Sequence, residues 1–548
     1  MASLFCVTAF ASENDSVITV QHDSEVIEFT VFEDGWNYAM ETANSGKEVY
    51  VTLLADWTAK TGQFTDDFFN GAGFDYDTIY FANDVTVTLD LNGFTIDRGL
   101  TSPEANGEVM FINDDANVTI KNGTIKGGYS NNGAGGIHIE GANVNLIDLV
   151  FSNNRVSNDD GAALQHVDGG ELYMKNCIFE GNNCKNEGFD IFGTVFLDGV
   201  DKVRIEDCYF SRNEGIDYGA GIYSYDCEDI EIKNSTFENL HANDRGGAIW
   251  VTGTPGQKIS IIGCKFIGNS AGNWAGAIYG ELLELYIYDS EFIGNSADWD
   301  GGAIYYTGTN AHQGITESYF YGCTFDGNYA GWDGGAIYCN ANIMTTGIHT
   351  YGCTFINNRA EGSGGAVCCD PECRFTLSSD ENGNPGIVKD NIAGEDGGGL
   401  YSDSMNGIPG YFAVAGEVYV SGNVSANGSD DIYATGYRSL DIGDVTSPAG
   451  SIGIRYYGSN GGTVAEFDDG VSLSASPFFA NNEGFEMTVE VEESYGREYR
   501  YLIMTKAVSA AGSIFAEDSF ASMISLMALA ISVASVCLSV ALNKKKTN

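Results

Sequence analysis

FIGNSADWDGGAIYY runs from Phe292 to Tyr306, FDGNYAGWDGGAIYC from Phe325 to Cys339, and FINNRAEGSGGAVCC from Phe355 to Cys369. One phrase is written three times: Phe, two residues, Asn, a short gap, then Gly-Gly-Ala and an aliphatic residue. Phe151, Phe179, Phe210, Phe237 and Phe266 extend it toward the N-terminus at a mean step of about 29 residues, and Val388 fits as a degenerate ninth position. The Asn recurs at Asn154, Asn182, Asn213, Asn269, Asn295, Asn328, Asn358 and Asn391. A fixed period of this size belongs to solenoids and propellers. The step varies while the motif does not, so insertions fall in one loop and the stacked part is constant.

Each period holds three short alternating stretches. The first follows Gly-Gly-Ala. The second carries pairs such as Val203 and Ile205, Ile230 and Ile232, Ile259 and Ile261, Leu285 and Ile287. The third pairs Cys or Ser with Phe: Cys208 and Phe210, Ser235 and Phe237, Cys264 and Phe266, Ser290 and Phe292. Period two reads as strand, with alternate residues on one face. No period holds an apolar 3.6-residue pattern long enough for a helix, and a propeller blade needs four strands and roughly 40 residues. The chain therefore reads as an all-β parallel β-helix with three strands per coil. Ile222, Ile249, Ile278, Ile304, Ile337, Val367 and Leu400 should point inward with the Cys/Ser and Phe rows. At a strand spacing of about 4.8 Å, ten to twelve coils make a rod on the order of 50–60 Å long. The Asn suits a turn and a bond to its copy along the axis. The Gly pair permits a tight bend.

Lys+Arg 26 against Asp+Glu 76 gives a net charge of −50. Nucleic acid is excluded as a partner, because it requires a basic face. Polyanionic glycans are disfavoured unless cations bridge. With 43% hydrophobic residues a folded core is expected despite the acidity.

Residues 1–11 read as part of a secretory signal ending Ala9-Phe10-Ala11. Residues 26–84 read as an N-terminal cap, with Trp36, Met40 and Ala43 at helical spacing before Gly46. A solenoid needs such a cover for its first exposed edge. The β-helix is expected from 85 to 457, a C-terminal β cap from 458 to 508 and a linker at 510–519. Residues 521–542 form an uncharged apolar run long enough to span a bilayer. The tail at 543–548, with Lys544, Lys545 and Lys546, carries the charge expected on the cytoplasmic side. The expected location is the cell surface, membrane-anchored through that C-terminal helix, with the body outside.

Cys177, Cys208, Cys264, Cys323 and Cys353 share one repeat position with Ser235 and Ser290. A site that accepts either wants a small buried side chain, so free thiols are expected. Cys177 with Cys208, and Cys323 with Cys353, fall one rung apart, but parallel stacked side chains rarely give a disulfide's torsion, which leaves Cys339 and Cys369, with Cys368 and Cys373, as the one pairing cluster.

On Gly246-Gly247-Ala248-Ile249, Gly301-Gly302-Ala303-Ile304 and Gly334-Gly335-Ala336-Ile337, the last two coupled to Phe292-x-x-Asn295 and Phe325-x-x-Asn328, the chain resembles the polymorphic outer membrane protein repeats of chlamydial surface proteins. The resemblance covers about Gly135 to Tyr401 and implies a right-handed β-helix and a role in adhesion. Those proteins end in an outer-membrane β-barrel, whereas this chain ends in one apolar run and a Lys cluster.

The residue after each inward Ile should face outward: Tyr223, Trp250, Tyr279, Tyr305, Tyr338, Cys368 and Tyr401. Such aromatics could take glycan rings, or could stack on each other along the sheet. Trp299 and Trp332 align one coil apart, as do Asp300 and Asp333 before the Gly pair. The two carboxylates could hold Ca²⁺, or form a solvated edge with no cofactor at all. The leading function is an adhesin-like protein binding glycans or surface proteins through its flank. The rival is a polysaccharide lyase or glycoside hydrolase, which needs grouped outward carboxylates. Asp159, Asp160 and His166 are the one local cluster of that kind. A third reading is a non-binding structural spacer.

Overall fold

The structure is a computed structural model. It describes residues 16–59 and 78–507, apart from 185–189, 255, 309–315, 341–345, 406–407, 435–438, 457–461, 469–470, 473 and 495–496. The expected signal at 1–11, linker at 510–519, apolar run at 521–542 and tail at 543–548 lie outside the described residues. Among the described residues no helix is long and apolar enough to cross a membrane.

Strands stack in parallel, coil on coil, for about 13 turns of ~29 residues. In the first sheet Ile222 lies on Ile249, then Ile278, Ile304 and Ile337. In the second, Ile230 lies on Ile259 and Leu285. In the third, Phe237 lies on Phe266, Phe292, Phe325 and Phe355. The coil also carries a fourth strand of about two residues. Ser270–Ala271, Ser296–Ala297, Tyr329–Ala330, Arg359–Ala360 and Ile392–Ala393 pair in parallel. The expected three-strand coil is corrected to three long strands and one short one. The second residue of the short strand is buried in each coil: alanine from Ala271 to Ala393, and Val156 and Cys184 in the earlier coils.

The inward rows close the core. Phe151, Phe179, Phe210, Phe237, Phe266, Phe292, Phe325 and Phe355 form one column with parallel rings and centroids 4.6–5.0 Å apart. Beside it runs a buried amide ladder. Asn295 Nδ2 donates to the Phe266 carbonyl of the preceding coil (2.9 Å) and to Asn328 Oδ1 of the next (3.0 Å). Its own Oδ1 accepts the Asn269 backbone N–H and Nδ2. The bonds run between coils, not back into the residue's own turn, so each Asn is satisfied only while both neighbours are folded. Leu240 interrupts the row, and Leu240 N donates to Asn269 Oδ1 instead. The row ends on a carboxylate: Asn423 donates to Asp431 Oδ1, and Asn481 to Asp431 Oδ2.

The first rung opens earlier than residue 85. Val49–Leu53 lies in parallel on Thr86–Asp90. Its other edge is covered by Ile18–His22, antiparallel, which hairpins with Glu25–Phe29. The helix Phe32–Asn44 closes that end and buries Phe32, Trp36, Met40 and Ala43, with Trp36 edge-on to Phe81 at 4.9 Å. At the far end Arg497–Lys506 pairs antiparallel with Gly462–Phe467 and with Phe485–Ser494, which ends the parallel stack.

All 11 described cysteines are buried free thiols. Cys339 lies on Cys369 in adjacent inward positions, with Cys373 beside them, while Cys368 sits on the opposite face.

Candidate functional site

The outer face of the first sheet carries the expected row in register: Tyr223, Trp250, Tyr279, Tyr305, Tyr338, Cys368, Tyr401. Its middle is not open. Tyr223, Trp250, Tyr279 and Tyr305 are 5–8% exposed and form a second apolar cluster with Ala275. Their rings stack on one another, Tyr223 on Trp250 at 4.4 Å and Tyr279 on Tyr305 at 5.2 Å. A lid of side chains covers them. Phe192, Tyr218 and Trp274 pack against the cluster, and the Arg245 guanidinium lies 4.4 Å from Trp274 and 5.5 Å from Tyr279. The lid residues share one repeat position, which stands just before the Gly pair where that pair is kept (Arg245 before Gly246-Gly247) and which Asp300 and Asp333 hold later in the chain. Where that position is aromatic or Arg, it folds over the outward aromatic row. Where it is Asp, Tyr338 and Tyr401 are left half-buried. The expectation that this whole row faces solvent is therefore corrected for these four residues.

The carboxylates at that position bond to the next coil. Asp300 Oδ1 accepts Asp333 N–H (3.1 Å) and Oδ2 accepts Trp274 Nε1–H (3.2 Å). Asp333 Oδ1 accepts Ser363 N–H (2.6 Å). Burial pushes Asp300 up to about 6. Burial first, then the charges of Glu395 and Asp403, raises Asp333. Among the described residues no group of three or more His, Cys, Asp or Glu is placed to hold a metal ion. Asp370, at the other end of the same sheet, accepts Tyr338 OH (2.6 Å), and burial pushes it up to about 7.

His166 does not join Asp159 and Asp160. It points into the core between Ile139 and Leu197, whereas Asp159 binds Gly133 N–H and Asp160 binds Phe192 N–H.

The open aromatic surface is the Trp299–Trp332 pair, 41% and 58% exposed. The indoles stack at 5.2 Å, 7° from parallel. Trp274 stands edge-on against Trp299 at 5.6 Å and closes that end of the column. The other end is open. Backbone bonds from Trp332 N to Trp299 O, Gly362 N to Trp332 O and Glu395 N to Gly362 O define one row: Trp299, Trp332, Gly362, Glu395. The coil after Trp332 thus supplies no side chain, and the far indole face looks across an empty rung at Glu395. A Cβ on Gly362 would collide with the Asp333 carboxylate that bonds Ser363, so the gap is required by packing. The result is a slot of about 380 Å³ lined by Gly331, Trp332, Asp333, Glu361, Gly362 and Glu395. Two strand spacings separate Trp332 from Glu395, about 9–10 Å, which admits one flat ring between them. The sequence signal for the slot was the replacement of Trp by Gly at one repeat position.

The family described as "Right handed beta helix region" matches residues 193–378, which include every lining residue of the slot except Glu395. No curated protein and no solved structure matches the chain. The right-handed β-helix fold is shared by adhesins and polysaccharide-degrading enzymes.

Proposed function

We propose that the chain is an adhesin-like, glycan-binding cell-surface protein, and that a sugar ring enters the slot beside Trp332. The carrying observation is the free indole face over Gly362. A pyranose stacks its apolar C–H face on an aromatic face and turns its hydroxyls to the sides. Here the sides are carboxylates: Glu395 opposite, and Glu361, which also binds Arg359 at 2.8 Å. These acids accept hydroxyl protons and repel anionic glycans, as does the net charge of −50. Of the two roles open to the row from Tyr223 to Tyr305, ligand contact or mutual stacking, the burial of these rings supports stacking. Glycan-array retention of the full-length protein tests this reading. Wild type should hold at least one neutral glycan that Trp332→Ala no longer holds; identical retention profiles of the two would remove the slot as a binding site.

A second reading rests on a different observation. Asp300, Asp333, Asp370 and Asp403 all act electrostatically on Cys368, and Asp300 and Asp370 are pushed to about 6 and about 7. A carboxyl whose proton is held toward neutrality is what a glycosidase's general acid needs. This reading predicts release of reducing ends that Asp370→Asn abolishes. Intact polymer after prolonged incubation with wild type would dismiss it.

A further inference from the structure

A larger cleft lies elsewhere, at the corner between the second and third sheets. It measures about 960 Å³ and is floored by Tyr288, Tyr321 and Tyr351. The three occupy successive rungs in register, with rings 5.1 and 4.9 Å apart and 6–12° from parallel. Being stacked, they occlude one another's faces and offer edges and hydroxyls. Tyr50, Tyr173, Tyr209, Tyr286, Tyr319, Tyr338 and Tyr419 each donate to a Glu or Asp. Among the described residues no carboxylate accepts from Tyr288, Tyr321 or Tyr351, so the three hydroxyls that line the cleft are not held by an acid as those are.

The cleft is walled where the repeat is interrupted. After Ser378, in register with Tyr351, the chain makes an extra loop at 379–385 before returning to the third sheet at Gly386. Asp380 fixes that loop by accepting Asn382 N–H, Asn384 N–H and Asn384 Nδ2–H. The loop settles against Gly352, whose Cβ position lies 3.2–3.3 Å from Asp380 and Asn384 atoms. Gly322 and Gly352 keep the floor free of side chains beside the tyrosines. Asp289, Glu381 and Asn382 supply acceptors and a donor at the rim, and no Lys, Arg or His lines the cleft.

We infer that this corner cleft is a second saccharide site, which takes a neutral oligosaccharide lying along the rod axis with its hydroxyls on the Tyr288–Tyr321–Tyr351 row. The volume falls within that of ligand sites, about 300–1,000 Å³. A row of equivalent hydroxyls repeated at the strand spacing complements a polymer that repeats its own hydroxyls. The absence of cations from the lining selects against uronates and sulfated sugars. The site is independent of the Trp332 slot, from which it differs in sheet, residues and mode of contact.

The experiment is titration calorimetry of the full-length protein with neutral hexasaccharides (β-1,4-glucan, β-1,4-xylan, α-1,6-mannan), with oligogalacturonate as the anionic control. Tyr321→Phe/Tyr351→Phe keeps both rings in the stack and removes two hydroxyls, so its fold is preserved. In a Trp332→Ala background at least one neutral hexasaccharide should still bind, oligogalacturonate should not, and the Tyr→Phe pair should weaken the remaining affinity about tenfold or more. Loss of all binding with Trp332→Ala alone would overturn this site and leave the slot. Loss through the Tyr→Phe pair alone, with Trp332→Ala silent, would keep this site and overturn the slot. Binding of no neutral hexasaccharide, or binding that the Tyr→Phe pair leaves unchanged, also overturns it.

Discussion

Two aromatic columns run along the same rod and end differently. The phenylalanine column has eight rings, each with both faces covered by its copies or the core. The exposed tryptophan column has two, and the rung after Trp332 holds Gly362. The chemistry of the rings is similar; the next coil decides whether a face is spent on stacking or left for a ligand. In this rod an open aromatic face therefore arises where the repeat stops repeating.

The largest effect should come from the closed column. Phe292→Ala opens a cavity in a fully buried stack and should cost about 3–5 kcal/mol by denaturant titration. Asn295→Ala beside it strands the Asn269 amide groups and the Phe266 carbonyl, at about 3 kcal/mol. Losses under 1 kcal/mol for both would mean that the inward rows do not carry the fold.

Trp250→Ala sharpens the comparison, because Trp250 was expected outside and lies under a lid. It should cost about 2–4 kcal/mol. Trp332→Ala removes an exposed ring and should stay within about 1 kcal/mol.

The acids on the first sheet give a pH-dependent difference. Asp370 is pushed up to about 7, so it holds its proton more tightly folded than unfolded. Its contribution is present when pH is below the ordinary carboxylate value and is lost as pH rises through about 7. Asp370→Asn should raise the Tm at pH 8, leave it nearly unchanged at pH 4, and flatten the slope between. The span is on the order of 2–4 kcal/mol. A parallel shift at every pH would mean that Asp370 does not titrate in this range. The smallest effect is expected from Ca²⁺: with Asp300 and Asp333 already bonded to the protein, millimolar Ca²⁺ should leave the Tm within a degree, and a rise of several degrees would restore a metal site.

What was legible in the sequence is what repeats. Phe, Asn, Ile and the Cys/Ser position report stacking because each is tested by its copies on the rungs above and below. The short fourth strand was written in one buried residue, alanine in the later coils, but two residues give no period to read. The lid could be read only by comparing Phe192, Tyr218, Arg245 and Trp274 with Asp300 and Asp333 as one row, since its effect falls on a different row. The slot and the tyrosine cleft were hardest, because each depends on an absence: a side chain missing at Gly362, and carboxylate partners missing, among the described residues, from three tyrosines. Absences have no propensity, and only the folded register turns them into space.

The central claim is that exposed breaks in the repeat, and not the repeat itself, bind glycan. Retention on a glycan array, measured in parallel for wild type, Trp250→Ala and Trp332→Ala at a temperature where all three are folded, tests it most directly. Trp250→Ala should lose stability and keep the wild-type glycan profile, while Trp332→Ala should keep stability and lose that profile's slot-dependent glycans. The reverse pattern, with binding lost through Trp250 and kept without Trp332, would contradict it.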